Sequence, residues 1–134
     1  MLFRSQVSFP GGRMEAGDAD VLATALRETY EEIGIAPQLV DVVGYLDTSP
    51  TVSGYAVTPV IGFVASGYRL DIDRAEVEQV FEVPLNFLLQ AGNVQMAERE
   101  VDGFRMPVAE FHYGERRVWG ATANILVMLL EKLT

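Results

Sequence analysis

Apolar positions in residues 21–35 recur with the spacing of a helix. Leu22, Ala25, Leu26, Thr29 and Ile33 form one stripe, and Glu28, Glu31 and Glu32 gather on the opposite flank. A helix advances about 100° per residue, so Glu28 and Glu32 stand one turn and about 40° apart. Asp18 or Asp20 suits the N-cap, Gly34 suits a left-handed C-cap, and Pro37 stops any continuation. Before this helix the pattern predicts a strand over Gln6–Phe9 and a Pro10-Gly11-Gly12 loop. After it, strands are expected over Gln38–Leu46 and Tyr55–Ala65, joined by a turn-rich loop over Asp47–Gly54. Pro59 implies a bulge or an edge in the second of these. Ser66–Asp73 reads as a loop, and the second half of Ala75–Leu85 as a strand. Pro84 can then start a short helix over Asn86–Gln90. Asp102-Gly103 marks a hairpin between Met96–Val101 and Phe104–His112, and Gly114 a further turn. A last helix begins within Val118–Ala123, with Trp119, Thr122, Ile125, Leu126, Leu129 and Leu133 as its stripe. This order suggests an α/β or α+β sandwich without fixing its topology.

Composition narrows the class but not the chemistry. The 134 residues suit one domain, and 49% of them are hydrophobic, which argues against disorder. There is no cysteine, hence no disulfide framework or zinc-thiolate site. A formal charge of −9 disfavours a nucleic-acid partner, though not a phosphorylated substrate bridged to acids by metal ions. No apolar run reaches the roughly 18 residues of a membrane helix, and Met1–Phe9 lacks the core of a signal peptide. The default is a cytoplasmic protein with no membrane partner, with a homodimer left open.

Three glutamates in five residues carry the chemical interest. Like charges at i, i+4 weaken an isolated helix by about 0.2–0.5 kcal/mol. A divalent cation would compensate, because magnesium takes oxygen ligands. An acidic face is more often merely solvated. What sets this one apart is the fixed order: a Gly-Gly loop, Arg27-Glu28, Glu31-Glu32, then a capping Gly34.

That order resembles the Nudix box of the Nudix hydrolases. The second half matches from Arg27 to Ile35, with Thr29 at the first apolar place. The first half is offset: one extra residue between Gly12 and Arg27 restores it, with Asp18 or Asp20 as the acid. Residues 6–12, Gly17-Asp18 and Thr24–Glu28 together resemble the coenzyme A pyrophosphatase branch. So do Leu46-Asp47, Thr51, Ser53-Gly54, Val57–Val60 and Trp119–Ala123. The upstream motif of that branch has Ser5 and Met1 at its Gly and Arg places. The chain is therefore expected to be an N-terminally truncated homologue, with residues 1–5 non-native.

The resemblance implies one α+β domain over residues 1–134: an α/β/α sandwich, the Nudix fold, its mixed β-sheet lying between helices and lacking the N-terminal strand. It implies Mg²⁺ or Mn²⁺ held by Glu28, Glu31 and Glu32, with the Gly11 carbonyl as a further ligand. Arg27 would orient a neighbouring glutamate. Glu76, with Glu78 as runner-up, is the candidate acid outside the box; Glu76, Glu28 or another box glutamate would be the general base. Gly11, Gly12, Arg13 and Ser53 would meet the substrate, a CoA-like diphosphate. Another substrate such as ADP-ribose or NADH, and an inactive fragment or phosphate-binding module, stand as alternatives. His112 reads as a packed or solvated strand histidine, and Arg116-Arg117 as a surface pair that could meet phosphate.

Overall fold

The computed structural model describes residues 7–50 and 54–134. The chain divides into two compact units, Pro10–Phe81 and, together, the residues up to Phe9 with Glu82–Thr134.

The first unit is built on α1 (Val21–Ile33). Asp20 caps it, accepting a hydrogen bond from the Ala23 amide at 2.9 Å. Gly34 closes it with φ +80°, its N–H donating to the Tyr30 carbonyl. A Cβ at Gly34 would lie 2.5 Å from Asp71 Cβ, so both the left-handed conformation and the close approach demand glycine here. Ile33 and Ile35 are buried, and Leu22, Ala25, Leu26 and Thr29 are half-buried. A 3₁₀ turn at Pro37–Leu39 leads into β1 (Val40–Tyr45). Residues β2 (Ser49–Pro50) and β3 (Ala56–Val57) form one short antiparallel ladder. β4 (Val60–Val64) pairs antiparallel with β1, from Val40 opposite Val64 to Tyr45 opposite Val60. The strand expected over Tyr55–Ala65 is thus broken in two. Pro59 lacks an N–H and sits at the break, where its carbonyl accepts from the Leu46 amide instead.

In the second unit α2 (Leu85–Leu89) follows Pro84, and a 3₁₀ turn at Ala91–Asn93 leads into β5 (Val94–Val101). β5 pairs in register with β6 (Phe104–Tyr113), and β7 (Arg116–Val118) pairs with β6. Asp102 and Gly103 take φ of 51° and 83°, the left-handed pair that a two-residue hairpin of this hand requires. α3 (Gly120–Leu133) lies against β6. Leu88, Ala109, Phe111, Val118, Ala123 and Leu126 form the core, with Phe111 1% exposed.

The α+β class is as expected. Where a mixed sheet was expected, the described ladders are all antiparallel and fall into three small sheets. Two expected strands are absent among the described residues. Val7–Phe9 joins no ladder; the Val7 carbonyl accepts from the Thr122 hydroxyl at 2.9 Å. Residues 82–83 are assigned to no strand, although Val83 packs on the core. Apolar alternation marks a buried side but does not name the strand that would pair with it. No helix among the described residues is long and apolar enough to cross a membrane.

Candidate active site

The geometry of the site starts from Arg27, at the middle of α1. Its Nε and Nη2 donate to the two oxygens of Asp18, each at 3.0 Å, in a forked pair. Its Nη1 donates to Glu28 Oε1 at 3.0 Å and Glu31 Oε2 at 3.2 Å. Nη2 also donates to the Arg13 carbonyl at 3.1 Å, fixing the loop to the helix. Asp18 accepts further bonds from the Glu15 amide at 2.8 Å and the Thr24 hydroxyl at 2.9 Å. The Arg27 guanidinium, followed by the Glu15 amide, holds the Asp18 carboxyl far below the usual carboxylate range. Asp18 reciprocally raises Arg27 above an ordinary guanidinium. The choice between Asp18 and Asp20 is thereby resolved: Asp20 caps the helix and Asp18 grips Arg27.

Glu32 occupies a different environment on the same helix. Burial pushes its carboxyl up from 4.5 to about 7, opposed by the Gly11 N–H. A hydrogen bond shared with Glu28, and the charges of Glu28 and Glu76, contribute to the same rise. The Gly11 amide donates to Glu32 Oε1 at 3.3 Å. A Cβ on Gly12 would lie 2.5 Å from Glu28 Oε1, so the loop can come this close only as glycine. The Arg13 guanidinium lies 4.3 Å from the centre of the Tyr55 ring.

The segment after β4 brings Glu76 into this neighbourhood. The amides of Asp71 and Asp73 donate to the carbonyls of Ile33 and Glu32, each at 2.9 Å. These are orphan acceptors at the end of α1. The Asp73 side chain and carbonyl then accept from Ala75, Glu76 and Val77, forming a turn that carries Glu76.

The glutamates therefore divide into two sets. Glu28 and Glu32 meet through a side-chain hydrogen bond across one helical turn, with Glu76 close enough to be felt electrostatically. Glu31 turns toward Arg27 and is half exposed. Among the described residues no three acidic or histidine side chains converge tightly enough to enclose a metal ion by themselves. A pair of carboxylates facing one another across a helical turn nevertheless suits a hard cation. Magnesium commonly takes one or two carboxylates and completes its shell with water and substrate phosphate.

Of the residues singled out from sequence, the first unit brings Gly11, Gly12, Arg13, Arg27, Glu28, Glu31, Glu32 and Glu76 into one linked set. At Gly11 the recorded bond is made by the amide. Ser53 lies outside the described residues. Asp73 and Tyr55 were not singled out. Ser66–Asp73 was read only as a loop, and nothing in the sequence pointed Tyr55 at Arg13. In the second unit His112 Nε2 lies 2.6 Å from Glu110 Oε2, and Arg117 donates to Glu110 Oε1 at 2.7 Å. These bonds hold the Glu110 carboxyl below its ordinary range.

The model of the NUDIX domain matches residues 2–126. The chain is similar to the uncharacterized Nudix hydrolase NudL of Salmonella paratyphi B, at 41% identity over 121 residues. The NudL proteins of Salmonella newport and Salmonella heidelberg are equally similar. In each case the match covers 90% of this chain and 63% of the relative, so the chain spans less than two thirds of those proteins. Glycine loop, Arg27 clamp and paired glutamates accordingly sit where the family model runs, and the chain belongs to the Nudix family.

Proposed function

We propose that the chain is a metal-dependent hydrolase of the diphosphate linkage of coenzyme A or an acyl-CoA, releasing 3′,5′-ADP and 4′-phosphopantetheine. The observation that carries the hydrolytic reading is geometric: the Gly11-Gly12 loop closes on Glu32 and Glu28, neighbours across one turn of α1, while Arg27 fixes the Glu28 carboxylate. The choice of coenzyme A is supported by residues 6–12, Gly17-Asp18 and Thr24–Glu28, which resemble that branch of the family.

Glu28 and Glu32 would hold Mg²⁺ or Mn²⁺, with Glu31 as a further carboxylate on the Arg27 side. Such an ion neutralises diphosphate oxygens and lowers the pKa of a bound water. Asp18 anchors Arg27, and Arg27 fixes the Glu28 carboxylate through Nη1. Gly11 and Gly12 let the backbone approach both glutamates, leaving room for substrate on the loop. Glu76, carried on the Asp73 turn, is the candidate to take the proton of the attacking water; Glu28 can serve in its place.

Turnover of the Glu32→Gln variant at limiting Mg²⁺ tests the metal role. The expected result is a loss of at least about a hundredfold, the scale of removing a group that acts in the transition state. Near-normal turnover would contradict it. ADP-ribose and NADH run beside coenzyme A separate this substrate from other nucleoside diphosphate derivatives.

A further inference from the structure

Arg13 is an exposed arginine in an acidic neighbourhood, yet no carboxylate among the described residues holds it. Arg27, by contrast, is committed to Asp18, Glu28 and Glu31, and Arg74 donates to the Glu78 carbonyl. The Arg13 guanidinium instead lies over the Tyr55 ring at 4.3 Å from its centre. Its backbone is tied down as well: the Arg13 carbonyl accepts from Arg27, and the preceding Gly12 abuts Glu28. A guanidinium resting on a ring face keeps its five N–H donors around its edge, where they match two phosphate oxygens at once.

From this arrangement we infer that Tyr55 is a positioning residue that holds Arg13 for a phosphate oxygen of the substrate. The inference deepens the proposed function and rests on it. The phosphate has two sources in a coenzyme A-like molecule, the scissile diphosphate beside Glu28 and the separate 3′-phosphomonoester. The shared chemistry is an anionic phosphoryl group met by the edge of a stacked guanidinium. Tyr55 itself touches no reacting atom. Its contribution is to remove rotamer freedom that a solvated arginine would lose on binding.

The test compares the wild-type chain with Tyr55→Ala, Tyr55→Phe and Arg13→Lys on coenzyme A and on 3′-dephospho-coenzyme A. In parallel, inorganic pyrophosphate is titrated calorimetrically in EDTA. Tyr55→Ala is expected to raise KM roughly three- to tenfold at little cost in kcat, the mark of binding shared by ground and transition states. Tyr55→Phe restores KM, since the ring and not the hydroxyl carries the guanidinium. Arg13→Lys loses at least as much as Tyr55→Ala, because an ammonium lacks the planar fork. An effect on both substrates and on pyrophosphate places the contact at the diphosphate; an effect on coenzyme A alone places it at the 3′-phosphate. Unchanged KM on both substrates with unchanged pyrophosphate binding overturns the inference, even if Tyr55→Ala lowers Tm. If the wild-type chain hydrolyses neither substrate, the proposed function fails. The inference is then decided by pyrophosphate: weaker binding to Tyr55→Ala supports it, and equal or absent binding overturns it.

Discussion

At the scale of single residues, Asp18 before α1 and Glu32 in its last turn have opposite electrostatics, and this gives them opposite pH behaviour. Asp18 is ionised far below its ordinary range by Arg27. Its folded pKa is depressed, so its stabilisation is present above about pH 4 and is lost as pH falls through the folded value. Asp18→Asn is therefore expected to lower Tm at pH 7, with the difference from wild type shrinking in acid. Glu32 runs the other way, lifted from 4.5 to about 7 by burial, the contact with Glu28 and the charge of Glu76. The folded metal-free chain holds this proton more tightly than the unfolded chain. The Glu32 contribution to stability is then greatest below pH 4.5, falls as pH rises to about 7, and levels off above. Glu32→Gln in EDTA should raise Tm relative to wild type at pH 8 and leave it unchanged at pH 4. A Tm difference independent of pH would contradict the assignment. The sequence made the Arg27–glutamate relationship legible, because i, i+1 and i, i+4 spacings on a helix fix it. It did not separate Asp18 from Asp20, since either acid can cap and only the folded loop shows which one reaches the guanidinium.

At the scale of elements, α1 is defined at both ends by its sequence, and the segment after β4 depends on that definition. Gly34 ends the helix, and Asp71 packs where its side chain would be. Gly34→Ala must strain a backbone at φ +80° and displace Asp71, which together cost at least about 1–2 kcal/mol. Urea unfolding should show that loss. A second consequence is chemical: the displaced Asp71–Val77 segment carries Glu76, so kcat should fall too. Helices and the Asp102-Gly103 hairpin were readable because caps, turn residues and periodicity are local. The strands expected at residues 6–9 and 81–83 were not, because a strand is completed by a partner that alternation does not name. Pro59 shows the intermediate case: its missing N–H implied a bulge or an edge, while the break of the strand and the short β2–β3 ladder before it were not foreseen.

For the whole molecule, the family model runs through both compact units, from residue 2 to residue 126. We propose that the two units make one cooperative domain, which then unfolds in one transition, with tryptophan fluorescence of Trp119 and helical circular dichroism coinciding in urea. Two separated transitions would divide it. Phe111, fully buried among Leu88, Val118, Ala123 and Leu126, is the natural probe of the second unit. Phe111→Ala is expected to cost about 3–5 kcal/mol. A formal charge of −9 argued against a nucleic-acid partner, and the absence of cysteine against a zinc-thiolate site, without naming a substrate. The substrate lies in loop and pocket detail, as the Tyr55–Arg13 stack illustrates. The most direct measurement is coenzyme A hydrolysis by this 134-residue chain with Mg²⁺, with Mn²⁺ and with EDTA, the products resolved by chromatography. Metal-dependent release of 3′,5′-ADP is the predicted result. A folded chain that releases none with either metal, while turning over another nucleoside diphosphate derivative or nothing at all, would contradict the assignment.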